Sequence, residues 1–222
     1  MRAMLLALVA AGTFVLPRPA FPPPADGSAS GRLKLDLVSS QPNRITDERA
    51  WFARNGLRLP HTDLQISGMT LSSPRYSLDF RRYAYAPVTA PGEREFVRQE
   101  LVWAAEAGGV LYVENAHSTY ARSSGNRNAY ITAIDLQTRK VRWRSPALVA
   151  NARTFVVLGS VLVTGYGFTA EPDYLYLLDR RTGAVVDRAA LPSAPEFVLR
   201  KGARLYVRTY DHDVVAKLYR PR

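Results

Sequence analysis

The sequence predicts an all-β protein made of short antiparallel four-stranded units, and three observations carry that expectation. First, Tyr130-Ile-Thr-Ala-Ile-Asp135-Leu-Gln-Thr138-Arg-Lys-Val141 and Tyr174-Leu-Tyr-Leu-Leu-Asp179-Arg-Arg-Thr182-Gly-Ala-Val185 repeat one pattern 44 residues apart, a period typical of stacked β units. Second, three glycine-led stretches share a second pattern: Gly108-Gly109-Val110-Leu111-Tyr112-Val113, Gly159-Ser160-Val161-Leu162-Val163-Thr164 and Gly202-Ala203-Arg204-Leu205-Tyr206-Val207. Glycine supplies the positive-φ turn, and the β-branched and aromatic residues after it suit a strand. Third, a further apolar run precedes each of these stretches and another follows it, so each unit holds three or four strands.

Residues 1–30 read as a signal peptide and Pro-rich linker. Arg2 gives a basic start, residues 3–16 form an apolar run, and Pro17, Pro19 and Pro22-Pro23-Pro24 end any helix there. The run is too short to cross a bilayer, and Ser28-Ala29-Ser30 offers a cleavage point. A cleaved secretory signal is therefore expected, with an uncleaved anchor or a soluble apolar strand as alternatives. No later segment reaches spanning length, so the mature chain is expected to lack a transmembrane span and to be secreted or periplasmic. With no cysteine in 222 residues, stability after export has to come from the core rather than from disulfides.

Residues 31–97 hold divergent N-terminal strands and a possible first blade-like unit. Residues 32–38 alternate apolar and polar, as a half-buried strand does, and could complete the last unit by pairing with residues 214–219. Residues 46–55 suit a short helix, capped by Thr46 and stopped by Gly56. Strands are expected at residues 64–68 and 76–85. Residues 93–107 contain good helix formers, but alignment with the repeats favours a strand.

Residues 98–222 carry the repeats, over 98–146, 152–191 and 195–220. First strands are expected at 101–105, 154–158 and 196–199, third strands at 130–136, 174–179 and 214–219, and fourth strands at 141–144 and 184–188. Between third and fourth strands, Asp135 and Asp179 can accept main-chain N–H bonds two residues on, while Thr138 and Thr182 close the turn. Gly183 permits a left-handed residue there, and Arg139 occupies the matching position at some local cost.

The run Ala133-Ile-Asp135-Leu-Gln-Thr138-Arg-Lys-Val-Arg-Trp143 resembles the A-x-D-x-x-T-G repeat, followed by a Trp-bearing strand, of the PQQ-like (quinoprotein-like) β-propellers. Here the first copy lacks the Gly. The second copy, Leu177-Leu-Asp179-Arg-Arg-Thr182-Gly183, keeps the Gly and has Asp187 in place of the Trp. The resemblance covers about residues 98–220 and implies a β-propeller of about four antiparallel four-stranded blades with a short N-terminal helix. Family rings usually have seven or eight blades, so either a small closed ring or an open arc completed by a second copy is implied. Open strand edges would favour self-association. Family enzymes use a full ring, and many use an adjacent cysteine pair. This chain has neither feature, so the resemblance is to the non-enzymatic envelope scaffold members, with no cofactor expected.

Candidate chemistry is sparse. His61, His117 and His212 lack metal-ligand spacing, and Asp211-His212-Asp213 reads as a polar hairpin turn. His117 has nearby serines, but no nucleophile elbow accompanies them. The enlarged loop at residues 114–128, with Glu114, Asn115, His117, Tyr120, Arg122, Asn126 and Arg127, is the candidate ligand- or partner-binding segment, because binding residues concentrate on loops held by rigid scaffolds. Aromatics at strand positions read as blade packing.

A formal charge of +11 favours anionic partners, yet the basic residues follow no nucleic-acid module and nucleic acid is disfavoured. The expected function is therefore a non-catalytic scaffold binding a protein or envelope partner. Two alternatives stand beside it: an enzyme or a cofactor or sugar binder using the 114–128 loop, and a polyanion-binding surface with one contiguous arginine face.

Overall fold

A computed structural model describes Pro22 and residues 33–85 and 98–221. The expected leader cleavage point and residues 93–97 of the ambiguous segment lie outside the described residues.

The described residues form four antiparallel sheets around a central cavity, as a small β-propeller. The first blade comprises β2 (Gln65–Ser67), β3 (Thr70–Ser73) and β4 (Tyr76–Asp79). The second comprises β5 (Glu100–Ala107), β6 (Val110–Ala116), β7 (Tyr130–Asp135) and β8 (Val141–Arg144). In the third are β9 (Val156–Leu158), β10 (Val161–Phe168), β11 (Glu171–Asp179) and β12 (Val185–Ala190). The fourth joins β13 (Pro195–Lys201), β14 (Arg204–Thr209) and β15 (His212–Tyr219) to β1 (Lys34–Pro42), which comes from the start of the fold. Among the described residues, three blades thus have the expected four strands and the first has three.

The alternation over residues 32–38 does produce the closing strand. β1 runs antiparallel to β15 from Lys34↔Tyr219 to Pro42↔His212, with a register shift between Leu37 and Ser39. Its buried Leu35 joins Val207, Val214 and Ala216 in one core with the third blade. Asp187 of β12 secures the strand's start, accepting from the Leu35 amide at 2.7 Å and pairing with the Lys34 ammonium at 3.4 Å. The position that holds Trp143 in the second blade therefore carries a carboxylate where the neighbour is β1.

The other blades meet through apolar layers. Leu71, Leu78 and Phe80 of the first pack on Leu101, Leu111, Val113 and Ile134 of the second. Tyr112, Ile131 and Trp143 of the second pack on Leu162, Tyr166, Tyr176 and Leu178 of the third. Each set comes from one face of an alternating strand, as two-residue periodicity requires.

The Asp–Thr–Gly turns join the blades as well as their own strands. Asp135 and Asp179 each accept main-chain bonds from the residues two and three positions on. Gly183 has φ 75°, and any Cβ there would overlap the Trp143 ring. Trp143 Nε1 also donates to the Arg180 carbonyl at 3.0 Å. The third blade thus needs glycine because the second blade's tryptophan sits against it. Arg139, at φ 58°, has no tryptophan against it: its guanidinium lies over Tyr76 at 5.4 Å, and the Tyr83 hydroxyl donates to its carbonyl at 3.3 Å.

Four local expectations are corrected. The helix α1 spans Glu48–Asn55, and its cap is Asp47, whose side chain accepts from the Ala50 amide, rather than Thr46. The stop at Gly56, φ 58°, is as expected. The strand expected over residues 76–85 ends at Asp79, whose carboxylate accepts from the Arg81 amide and starts a 3-10 turn at Phe80–Arg82. β3 was not anticipated at all. The first strand of the third blade begins at Val156, because Thr154 instead bonds the Val198 main chain of the fourth blade, donating at 2.8 Å and accepting at 3.0 Å.

Candidate functional site

Antiparallel meanders place the β5–β6, β7–β8, β9–β10, β11–β12 and β13–β14 turns at one end of the blades. The long loop after β6 and the β10–β11 and β14–β15 turns lie at the other. These two ends differ in chemistry.

At the loop end, residues 117–129 leave β6 and return to β7 through a neck held by one side chain. Asn128 Oδ1 accepts from the His117 amide at 2.6 Å, and its Nδ2 donates to the carbonyls of His117 and Thr119 at 3.3 and 3.4 Å. Inside the loop, Ser124 Oγ donates to the Ala121 carbonyl at 2.9 Å, and Asn126 takes a left-handed φ of 59°. Glu171 of the third blade accepts from the Ala121 amide at 2.8 Å and from the Tyr166 hydroxyl. Tyr120 meets Phe168 edge to face, with centroids 4.7 Å apart.

Of the seven candidate residues, the structure brings Tyr120, Arg122, Asn126 and Arg127 to the surface of this loop and buries Glu114, Asn115 and His117. Glu114 and Asn115 belong to β6, in register with Ile131 and Tyr130 of β7. Asn115 Nδ2 donates to the Glu100 carbonyl at 2.9 Å. Glu114 is fully buried with no hydrogen-bond partner for either oxygen. Burial pushes its carboxyl well above the usual range, which favours the neutral acid and keeps a charge out of the blade interface.

The same end continues onto the third and fourth blades. Asn151 bonds both main-chain groups of Gly167, donating at 2.7 Å and accepting at 3.1 Å. Asp173 sits against Gly167, where a Cβ would overlap its carboxylate. Burial, with the nearby Asp211 charge, raises the Asp173 carboxyl to about 6. Ser193 bridges Thr209 and Asp211, and Asp211 lies 2.7 Å from His212 Nδ1. The Asp211–His212–Asp213 cluster is thus the β14–β15 turn and the start of β15, as expected. Tyr210 at its tip is 78% exposed.

At the opposite end a cavity of about 700 Å³ opens between the blades. Residues 58–64, which carry the chain from α1 to the three-stranded first blade, form one side of it; Trp103–Ala107, Phe155–Val157 and Leu199–Arg200 form the others. Arg58, Arg75 and Arg200 line it, with His61, Asp63 and Glu106. Glu106 is taken up by the Arg75 guanidinium and the Tyr76 hydroxyl. The turns at this end of the blades add Arg139, Lys140, Arg180, Arg181, Lys201 and Arg204. Their acidic residues, Asp135 and Asp179, accept the turn bonds already described. Arg180 also ties two blades, donating to Tyr112 Oη at 2.8 Å, the Ala107 carbonyl at 2.7 Å and the Gly159 carbonyl at 3.0 Å.

Sequence reasoning missed this cavity, whose residues come from all four blades. Arginines recurring beside the glycine turns were the only local signal.

No family model matches the sequence, and no curated protein does. Among solved structures the chain is similar to BamB from Moraxella catarrhalis, at 13% identity over 70% of this chain and 56% of that one, with a TM-score of 0.39. It is also similar to the computationally designed Ika4 protein, at 13% identity over 73% of this chain and 88% of that one, with a TM-score of 0.42. The chain spans just over half the length of BamB. The propeller fold rests on the chain's own four sheets and the cavity they surround.

Proposed function

We propose that the chain is a non-catalytic binding module of the cell envelope or its exterior, and that its loop end receives a protein partner. One observation carries this reading. Loops of three blades are locked together by side-chain bonds to main chain, yet leave Tyr120, Arg122, Arg127 and Tyr210 exposed at the same end. Tyrosine and arginine are enriched at interface hot spots, and a rigid presenting surface loses little conformational entropy on association. The leader-like residues 1–30 supply the support for an exported location.

The test is a parallel capture from an envelope extract, using the wild-type chain, a Tyr120→Ala/Arg127→Glu variant and an Arg181→Glu/Arg204→Glu variant. A specific partner is retained by the wild type and by the turn-end variant, and is lost from the loop-end variant. Equal retention by all three would overturn the assignment of the loop end.

A further inference from the structure

We propose that the central cavity binds a small amphiphilic organic anion, its carboxylate or phosphate on the guanidinium groups of Arg58 and Arg200 and its apolar body against Trp103, Val156 and Val157. The volume, about 700 Å³, lies within the range of small-molecule sites and is far larger than a bare ion needs.

The wall chemistry selects the ligand. The half-buried Trp103, Ala105, Ala107, Val156 and Val157 make much of the lining apolar, so a bare phosphate or a sugar phosphate would leave that surface unmatched. The ionisable lining is cationic once internal pairs are removed. Arg75 and Glu106 neutralise each other, leaving Arg58 and Arg200 against Asp63. Arg200 Nε donates to the Gly202 carbonyl at 2.8 Å, which orients its guanidinium. The fork that remains suits a carboxylate or phosphate. Arg139, Lys140, Arg181 and Arg204 on the turns at this end of the blades add a field of the same sign, which raises the local concentration of anions and speeds their capture.

One side of the cavity is built without a strand: among the described residues the first blade has three. Residues 58–64 fill that side as extended chain, with Arg58, His61 and Asp63 all exposed. Their backbone is not tied into a sheet, so this side can adjust to the ligand's length while the inner strands β5, β9 and β13 hold the other three.

Binding here is independent of the loop end, and the experiment separates the two. The full chain is titrated with 8-anilinonaphthalene-1-sulfonate, an aryl anion whose fluorescence rises in apolar surroundings. Saturable one-to-one binding is expected, displaced by dodecyl phosphate or dodecanoate and not by inorganic phosphate. Arg58→Glu/Arg200→Glu is expected to weaken binding by about tenfold or more, through loss of the charge partners and the new repulsion. Arg122→Glu/Arg127→Glu changes net charge equally at the other end and is expected to leave it nearly unchanged. Melting curves of both variants report whether the fold is kept. Absence of saturation, or equal weakening by the two charge reversals, would overturn the site. Displacement by inorganic phosphate as effective as by the alkyl anions would overturn the amphiphile and leave a bare anion site.

Discussion

Trp143 and Gly183 show how one residue's identity is set by a residue in another blade. The tryptophan is 9% exposed, packs against a glycine held at φ 75°, and donates to the carbonyl of Arg180. Trp143→Ala is expected to cost about 3–4 kcal/mol, the usual loss for a large buried side chain. Gly183→Ala carries about 1–2 kcal/mol of left-handed backbone strain and roughly 1–3 kcal/mol for displacing the ring. In the Trp143→Ala background only the backbone part remains, so the double variant is more stable than the sum of the singles predicts. Urea unfolding of the four proteins measures that coupling; strict additivity would mean the ring does not rest on the glycine. Asp173 offers a second residue-scale prediction, in pH. Its folded carboxyl is raised from 3.8 to about 6, first by burial and then by Asp211, so the folded state binds the proton more tightly than the unfolded chain does. Stability therefore falls as pH rises between about 4 and 6 and stays lower above that window. Asp173→Asn removes the dependence. The variant should match wild type below pH ~4 and exceed it above pH ~6, by about 1 kcal/mol after allowing for solvent screening of a partly exposed group. A pH series of melting temperatures in which the two proteins stay parallel would contradict this.

At the level of elements, what the sequence made legible is what local chemistry alone determines. Asp, Thr and Gly at fixed offsets specify the turns wherever they occur, so the turn-side ends of β6 to β8, β10 to β12 and β14 were readable to within a residue or two, whereas β6, β10 and β11 run three or four residues further toward the loop end than expected. The closing pair β1 and β15 was readable because Leu33, Leu35 and Leu37 alternate without interruption. The errors fall where two residues could do the same job. Thr46 and Asp47 are adjacent cap formers, and the carboxylate took the position, accepting from the Ala50 amide at 2.7 Å. Asp79 could have continued a strand, but its carboxylate bonds the Arg81 amide at 3.1 Å and turns the chain. The site was less legible than the fold. Glu114 and Asn115 read as loop because they are polar, whereas pairing with β7 extends β6 through Ala116. Tyr120, Arg122, Asn126 and Arg127 of that loop have no partner strand among the described residues and stay exposed. Nothing in Arg58, Trp103 or Arg200 taken separately signals a cavity, since only the ring brings three such distant stretches together.

For the whole molecule, the formal charge of +11 is less informative than where that charge sits. Basic residues near the loop end are partly matched: Arg208 pairs with Glu196 at 3.1 Å, Arg153 pairs with Glu48, and Glu171, Asp173 and Asp211 lie nearby. At the turn end Asp135 and Asp179 accept turn bonds, Asp135 also pairs with Arg142 and Glu106 with Arg75, while Arg139, Lys140, Arg181, Arg200 and Arg204 stay exposed without an ion pair among the described residues. A ring of repeats produces such polarity readily. Every blade delivers the same kind of turn to the same end, so a preference for arginine beside the glycine is multiplied by the blade number. The consequence is measurable with two variants of equal charge. Arg181→Glu/Arg204→Glu and Arg122→Glu/Arg127→Glu each replace two exposed arginines, so net charge changes identically and only position differs. Over distances beyond about 10 Å at 0.1 M salt, exposed charges are largely screened from one another, so a polyanion senses the local patch rather than the total. On immobilised heparin the turn-end variant should therefore elute at clearly lower salt than the loop-end variant, and its binding should fall less steeply with salt because fewer counterions are released. Equal elution of the two would show that the charge acts as a uniform coat and that the turn end has no privileged affinity for anions.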